Sequence, residues 1–173
     1  MCIRDSASFG VSSQLSGEKR YEENIGKPKF HTSYGIIDIN DGPIKWAQVT
    51  WTRGGRYGEI LIEELILAIP DKQPVIDGKG IEIKTIKHKS IPIFGKTTNV
   101  TWRGNDNGKG LIWLLTEDAD VKQLIMATAN TRIKWHGPQH AVWTISQSYK
   151  NYLPVHWQTF QKIANLIISP SKG

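Results

Sequence analysis

The sequence predicts an α+β domain: a mostly antiparallel sheet or partly open barrel of about eight strands, one inserted helix and a C-terminal capping helix. Three observations carry this. Short β-rich runs follow one another at hairpin spacing, as in Ile44–Arg53 against Glu59–Ile69. Apolar residues recur at helical spacing after Thr116 and after Pro154. Turn residues punctuate the rest, notably Asn40-Asp-Gly-Pro43, Gly54-Gly55 and Gly137-Pro138. With 173 residues the chain suffices for one domain that buries roughly two-thirds of its unfolded surface.

Taken in order, Met1-Cys-Ile-Arg-Asp-Ser6 resembles the translated end of a transposase adapter used in preparing sequencing libraries. These residues are therefore kept out of the fold reasoning, and native residues upstream are expected to be missing. Residues 1–29 as a whole read as that start plus a flexible linker or arm, because Ala7–Lys29 is polar and carries no apolar period. Residues 30–173 read as the single domain.

Phe30–Ile39 is expected as a strand, and Ile44–Arg53 as another whose apolar parity changes between Trp46 and Val49, implying a bulge or burial on both faces. Glu59–Ile69 fits either a helix or a long buried strand. The preceding glycine pair and β-rich neighbour favour the strand. After a Pro- and Gly-rich loop, Ile81-Glu-Ile-Lys84 alternates apolar with charged, the pattern of a strand with one wet face. Thr97–Arg103 and Leu111–Leu115 are read as a hairpin with a long loop.

Thr116 is then expected to cap a helix whose apolar positions are Val121, Leu124, Ile125 and Thr128, with a stop at Asn130. Arg132–His136 and His140–Ile145 form a second hairpin. A five-residue loop would pair Trp135 with Ala141 and Ile133 with Trp143, leaving Arg132 and Lys134 on the opposite face. Pro154 opens the last helix, with Trp157, Phe160, Ile163, Ala164 and Ile167 as its buried stripe.

Net charge is +6, and residues 121–173 contain no Asp or Glu at all. That imbalance suggests a basic C-terminal face, with Arg132, Lys134, His136, His140, Lys150 and His156 as candidate contacts for an anionic protein or a membrane surface. Over Leu111–Ile168 the succession of apolar strand, Leu-Thr with acids, helix, hairpin and terminal helix resembles the soluble part of a bacterial membrane-tethered family of unknown function. That resemblance implies a membrane-associated protein, at the cytoplasmic face or in the cytoplasm. Nothing in this chain is apolar for long enough to span a bilayer.

The alternative partner is nucleic acid, through Arg53-Gly-Gly-Arg56-Tyr57-Gly58, with the strand-borne tryptophans as a stacking platform. Most of those tryptophans are nevertheless expected in the core.

Catalytic and cofactor chemistry find little support. His136 and His140 have zinc-like separation, but Gly137-Pro138 places them on opposite arms of a hairpin, so no metal site is expected. Glu63 and Glu64 would point to opposite faces of a strand. Setting Cys2 aside leaves no thiol, and neither a Gly-x-Ser-x-Gly elbow nor a phosphate loop occurs. Asn105–Gly108 fails as a calcium loop, because aligning its glycine places Arg103 and Leu114 at ligand positions. An enzyme would have to assemble scattered groups such as His31, Asp38, Glu63 and His88. The expectation is a non-catalytic binding domain without a cofactor.

Overall fold

The computed structural model describes residues 12–54, 60–71, 80–91, 95–148 and 154–169. Its strands are β1 (Ser13–Leu15), β2 (Thr32–Ile39), β3 (Trp46–Gly54), β4 (Ile60–Pro70), β5 (Glu82–Lys89), β6 (Thr97–Asn105), β7 (Thr131–Trp135) and β8 (Val142–Ser148). The helices among these residues are α1 (Leu111–Glu117), α2 (Ala119–Ala127) and α3 (Pro154–Ile168). The eight strands form one antiparallel sheet in the order β1-β2-β3-β4-β8-β7-β5-β6. The sheet is open rather than closed into a barrel.

Side-chain alternation gives the sheet an inner and an outer face. Inward go Val49, Leu67, Ile83, Trp102, Ile133 and Trp143, which pack with Leu111 and Leu115 of α1, Val121, Leu124 and Ile125 of α2, and Phe160, Ile163 and Ile167 of α3. Each large side chain buried there contributes roughly 1.5–3 kcal/mol. Trp157 is only half-buried at the margin of this cluster. The Trp143 indole N–H donates to the buried Asp71 carboxylate at 3.0 Å, and Lys109 sits 5.2 Å over its ring. From Trp46 to Thr50 both faces of β3 are buried, and Trp46 joins Ile36, Ile66, Ala68 and Val142 in a second apolar patch on the outer face.

What covers that second patch is the segment before β2. Where sequence suggests a loose arm, Ser13–Leu15 adds to β2, and the 3-10 turn Tyr21–Asn24 leads Ile25 into the patch. Ile25 C=O accepts from the buried Gln48 amide at 3.2 Å. A Cβ on Gly26 would lie 3.2 Å from Thr144 Cγ2, so the backbone here runs almost in contact with β8. Arg20 anchors the segment, donating to Asp38 at 2.6 Å and Glu22 at 2.8 Å. That guanidinium holds the Glu22 carboxyl below its ordinary range, against an opposing effect of burial.

Three expected elements differ. Leu111–Leu115 is helix, not strand: Leu111 and Leu115 are buried one turn apart while Trp113 between them is 66% exposed. The cap of the following helix is Asp118, not Thr116. Its carboxylate accepts from the N–H groups of Asp120 and Val121, and the helix ends at Thr128 rather than Asn130. The β7–β8 hairpin keeps the expected faces, but Trp135 pairs with Trp143 and Ile133 with Ile145. His136 N–H still bonds Val142 C=O, so the five-residue loop is 137–141, one position later than expected.

Candidate surface on the open half of the outer face

Beyond β8, among the described residues, the outer face exposes Arg103, Lys84, Arg132 and Lys134. Strand register decides this. Lys84 pairs with Arg103 on one side and with Arg132 on the other, so these three side chains form one row across β6, β5 and β7. The row continues through Ser146, Ile66, Gln48 and Ile36, passing from exposed cations to the covered apolar patch. In the adjacent row Asn105, Glu82, Lys134 and Thr144 follow each other. Neighbouring strands lie about 4.8 Å apart, and like charges directly opposed across them are destabilising.

Glu82 is the acid set among these cations. Its carboxylate lies 2.8 Å from Lys84 Nζ and 3.6 Å from Arg132 Nε. The Lys84 hydrogen bond holds its pKa below the ordinary carboxylate range. Burial opposes this, and Arg132 and Lys134 add to it. Lys84, Arg132 and Lys134 thus share one carboxylate, and Arg103 stands outside this group. Among the described residues, no ion pair to Arg103 or Lys134 occurs within 4.0 Å.

The expected site residues divide. Arg132, Lys134 and His136 share the outer face, but His136 is not a cation near neutral pH. Its Nε2 lies 2.8 Å from Thr144 Oγ1, and burial, reinforced by Lys134 and His140, pushes its pKa down to about 4. His140 is exposed at the hairpin loop, its ring 6.5 Å from that of Tyr21. His156 lies across the sheet, in a groove between α2 and α3 lined also by Asp120, Gln123 and Val155. Burial lowers its pKa too. Lys150 falls outside the described residues.

The acid-free end of the chain is also partly neutralised by acids from elsewhere. Lys162 bonds Asp118 at 2.8 Å and Asp120 at 2.7 Å, and Arg132 meets Glu82.

Arg53 sits near the far end of β3 on the inner-face parity, away from the row, while Arg56 and Tyr57 lie outside the described residues. Trp46, Trp102, Trp135 and Trp143 are buried. His31, Asp38, Glu63 and His88 are not brought together. His31 meets Thr50, Asp38 meets Arg20, Glu63 meets Tyr34 and His88 meets Thr101. Five strand spacings, about 24 Å, separate β2 from β5. Among the described residues no group of three His, Cys, Asp or Glu gathers as a metal site would require, and no helix is long and apolar enough to cross a membrane.

Arg103 is the functional candidate that the sequence reading did not name, and Lys84, expected on a wet strand face, was not expected beside Arg132. The alternation Ile81-Glu-Ile-Lys84 marks a wet face, but nothing local says that β7 lies beside it.

The fold is an open antiparallel sheet backed by helices, with Arg103, Lys84 and Arg132 in one row on its outer face. Comparison with known proteins adds no further assignment: no family model, no curated protein and no solved structure matches this chain.

Proposed function

We propose that this chain is a non-catalytic binding domain that takes an anionic partner on the open half of its outer face, through Arg103, Lys84, Arg132 and Lys134. The observation that supports this is the cross-strand row of three cations, Arg103, Lys84 and Arg132, accompanied by a single carboxylate. Such a row works against folding by mutual repulsion, and an anion laid along it removes the repulsion. The three positions require no cation for packing, because all are exposed.

Nucleic acid is less well supported as the partner. The tryptophans that might have stacked on bases are mostly core residues, and the row itself contains no aromatic side chain.

The test is salt-dependent retention on heparin, a generic polyanion. The unsubstituted chain should be retained and elute with rising salt, whereas the pair Arg132→Glu with Lys134→Glu should still fold and elute much earlier. Equal elution of the two proteins would reject this surface.

A further inference from the structure

The cationic row runs out to an open strand edge. β6 is the last strand on its side of the sheet, and among the described residues no strand pairs with its far side. The direction of its peptide groups follows from the ladder. Trp135 N–H donates to Ile81 C=O, so odd-numbered residues of β5 turn their backbone toward β7 and even-numbered ones toward β6. Because Lys84 pairs with Arg103 and Ile86 with Thr101, odd residues of β6 bond β5. Val100, Trp102 and Gly104 therefore turn N–H and C=O outward, whereas the register shifts beyond Asn99. A separate hydrogen bond agrees: Val100 N–H donates to the side chain of Asn99, at 2.9 Å, and not to β5.

We propose that β6 accepts an extended segment of a partner protein as an added antiparallel strand, selected by an acidic side chain opposite Arg103. This deepens the anion-binding reading and rests on it. An open edge supplies main-chain hydrogen bonds to any extended chain, and side chains facing the neighbouring strand supply selectivity. Arg103 bonds β5 through its own peptide, so across the open edge it occupies a non-hydrogen-bonded position. There, facing Cα atoms approach to about 4.5 Å and side chains are closest. An Asp or Glu at that point extends the row Arg103–Lys84–Arg132 with the charge it lacks. On the same face it would be flanked by residues opposite Thr101 and Asn105, both polar. A second copy of this chain is a poor occupant. β6 contains no acid, and copies paired through this edge would crowd two cationic rows onto one face. A phosphate-bearing surface would meet the row but leave the edge unused.

The probe is a short fluorescent peptide of alternating Glu with Thr or Val, added to the full chain. One control is the same peptide N-methylated at alternate residues, and the other has Lys in place of Glu. The acidic peptide should raise fluorescence anisotropy, bind about tenfold more weakly to Arg103→Glu, and slow hydrogen exchange at the Val100 and Trp102 amides. The N-methylated and Lys peptides should not bind. Arg103→Thr, which retains a β-favouring residue, guards against misfolding of the charge-reversed variant and should weaken binding in the same direction.

Equal binding of the N-methylated peptide would overturn strand addition. So would unchanged exchange at Val100 and Trp102 with the acidic peptide, or displacement of that peptide by anionic vesicles or an oligonucleotide with no change in that exchange. In each of these cases retained heparin binding leaves the anion surface standing. Loss of heparin binding as well removes both readings.

Discussion

Lowering the pH from about 7.5 to about 5 should cost this protein about 2 kcal/mol of stability, most of it through His136. Its ring is half-buried on the outer face beside Thr144, and its pKa is pushed from 6.5 to about 4 by burial first, then by Lys134 and His140, against a smaller opposing pull from Glu82. The unfolded chain binds a proton at this histidine as pH falls through 6.5, whereas the folded chain refuses it until about 4. Stability is therefore complete above the unfolded value and is lost as pH falls between the two. A separation of about 2.5 pH units at about 1.4 kcal/mol each caps the loss at about 3.4 kcal/mol, and most of that is reached by pH 5. The lowered carboxylates Glu22, Glu82 and Asp118 titrate below this window. They hold their stabilisation down to more acidic pH and lose it as their folded pKa values are crossed. The assay is urea unfolding across the pH series, in which the midpoint should fall by about 1 M between the two ends. His136→Gln keeps a hydrogen-bonding group beside Thr144 but cannot titrate, so its midpoint should fall much less. His156, whose pKa burial also lowers, contributes in the same direction and cancels when the two proteins are compared. Parallel pH curves for parent and variant, or an NMR titration of the folded His136 ring near 6.5, would refute the reasoning.

Asp118→Ala removes both hydrogen bonds at the start of α2 and should cost about 1 kcal/mol in chemical unfolding; an unchanged midpoint would mean the cap contributes nothing. Gly104→Ala should cost about 2 kcal/mol or more, because its Cβ would fall 2.1 Å from the Glu82 carbonyl oxygen at a φ of +146°. Hydrogen exchange should then report a frayed β5–β6 ladder, and full protection there would contradict the register. Phe160→Ala empties a core position that is 2% exposed and should destabilise by about 3–5 kcal/mol, read by calorimetry or denaturant; a loss below about 1 kcal/mol would place this ring outside the core.

Most strands were legible because their evidence is local. Glu82–Lys89 announces itself by alternation, Trp46–Gly54 and Ile60–Pro70 by β-rich runs joined across a glycine pair, and α3 by a stripe at helical spacing after Pro154. Leu111–Glu117 was misread because a short apolar run has no period that separates helix from strand. A signal was nevertheless present upstream: the Asp106 carboxylate accepts from Ile112 N–H at 3.1 Å, near the start of the helix. β1 had none, since three residues of mixed polarity become a strand only by lying against β2. The hairpin kept its faces despite the displaced loop, because moving a loop by one residue shifts facing pairs by two and two is the period of a strand.

By itself the sequence determined which side chains share a strand face, where the helices begin to repeat, and that the last third of the chain has no acid of its own. Which strands lie side by side was decided only by the tertiary structure. That arrangement brings Arg103, Lys84 and Arg132, from three separate parts of the chain, into one row, and supplies Glu82, Asp118 and Asp120 to partner the basic end. The physical reason is range. A strand's side-chain period is written in adjacent residues, whereas its neighbour is chosen by burying the inner face of the whole sheet against three helices at once, and no short window of sequence contains that choice.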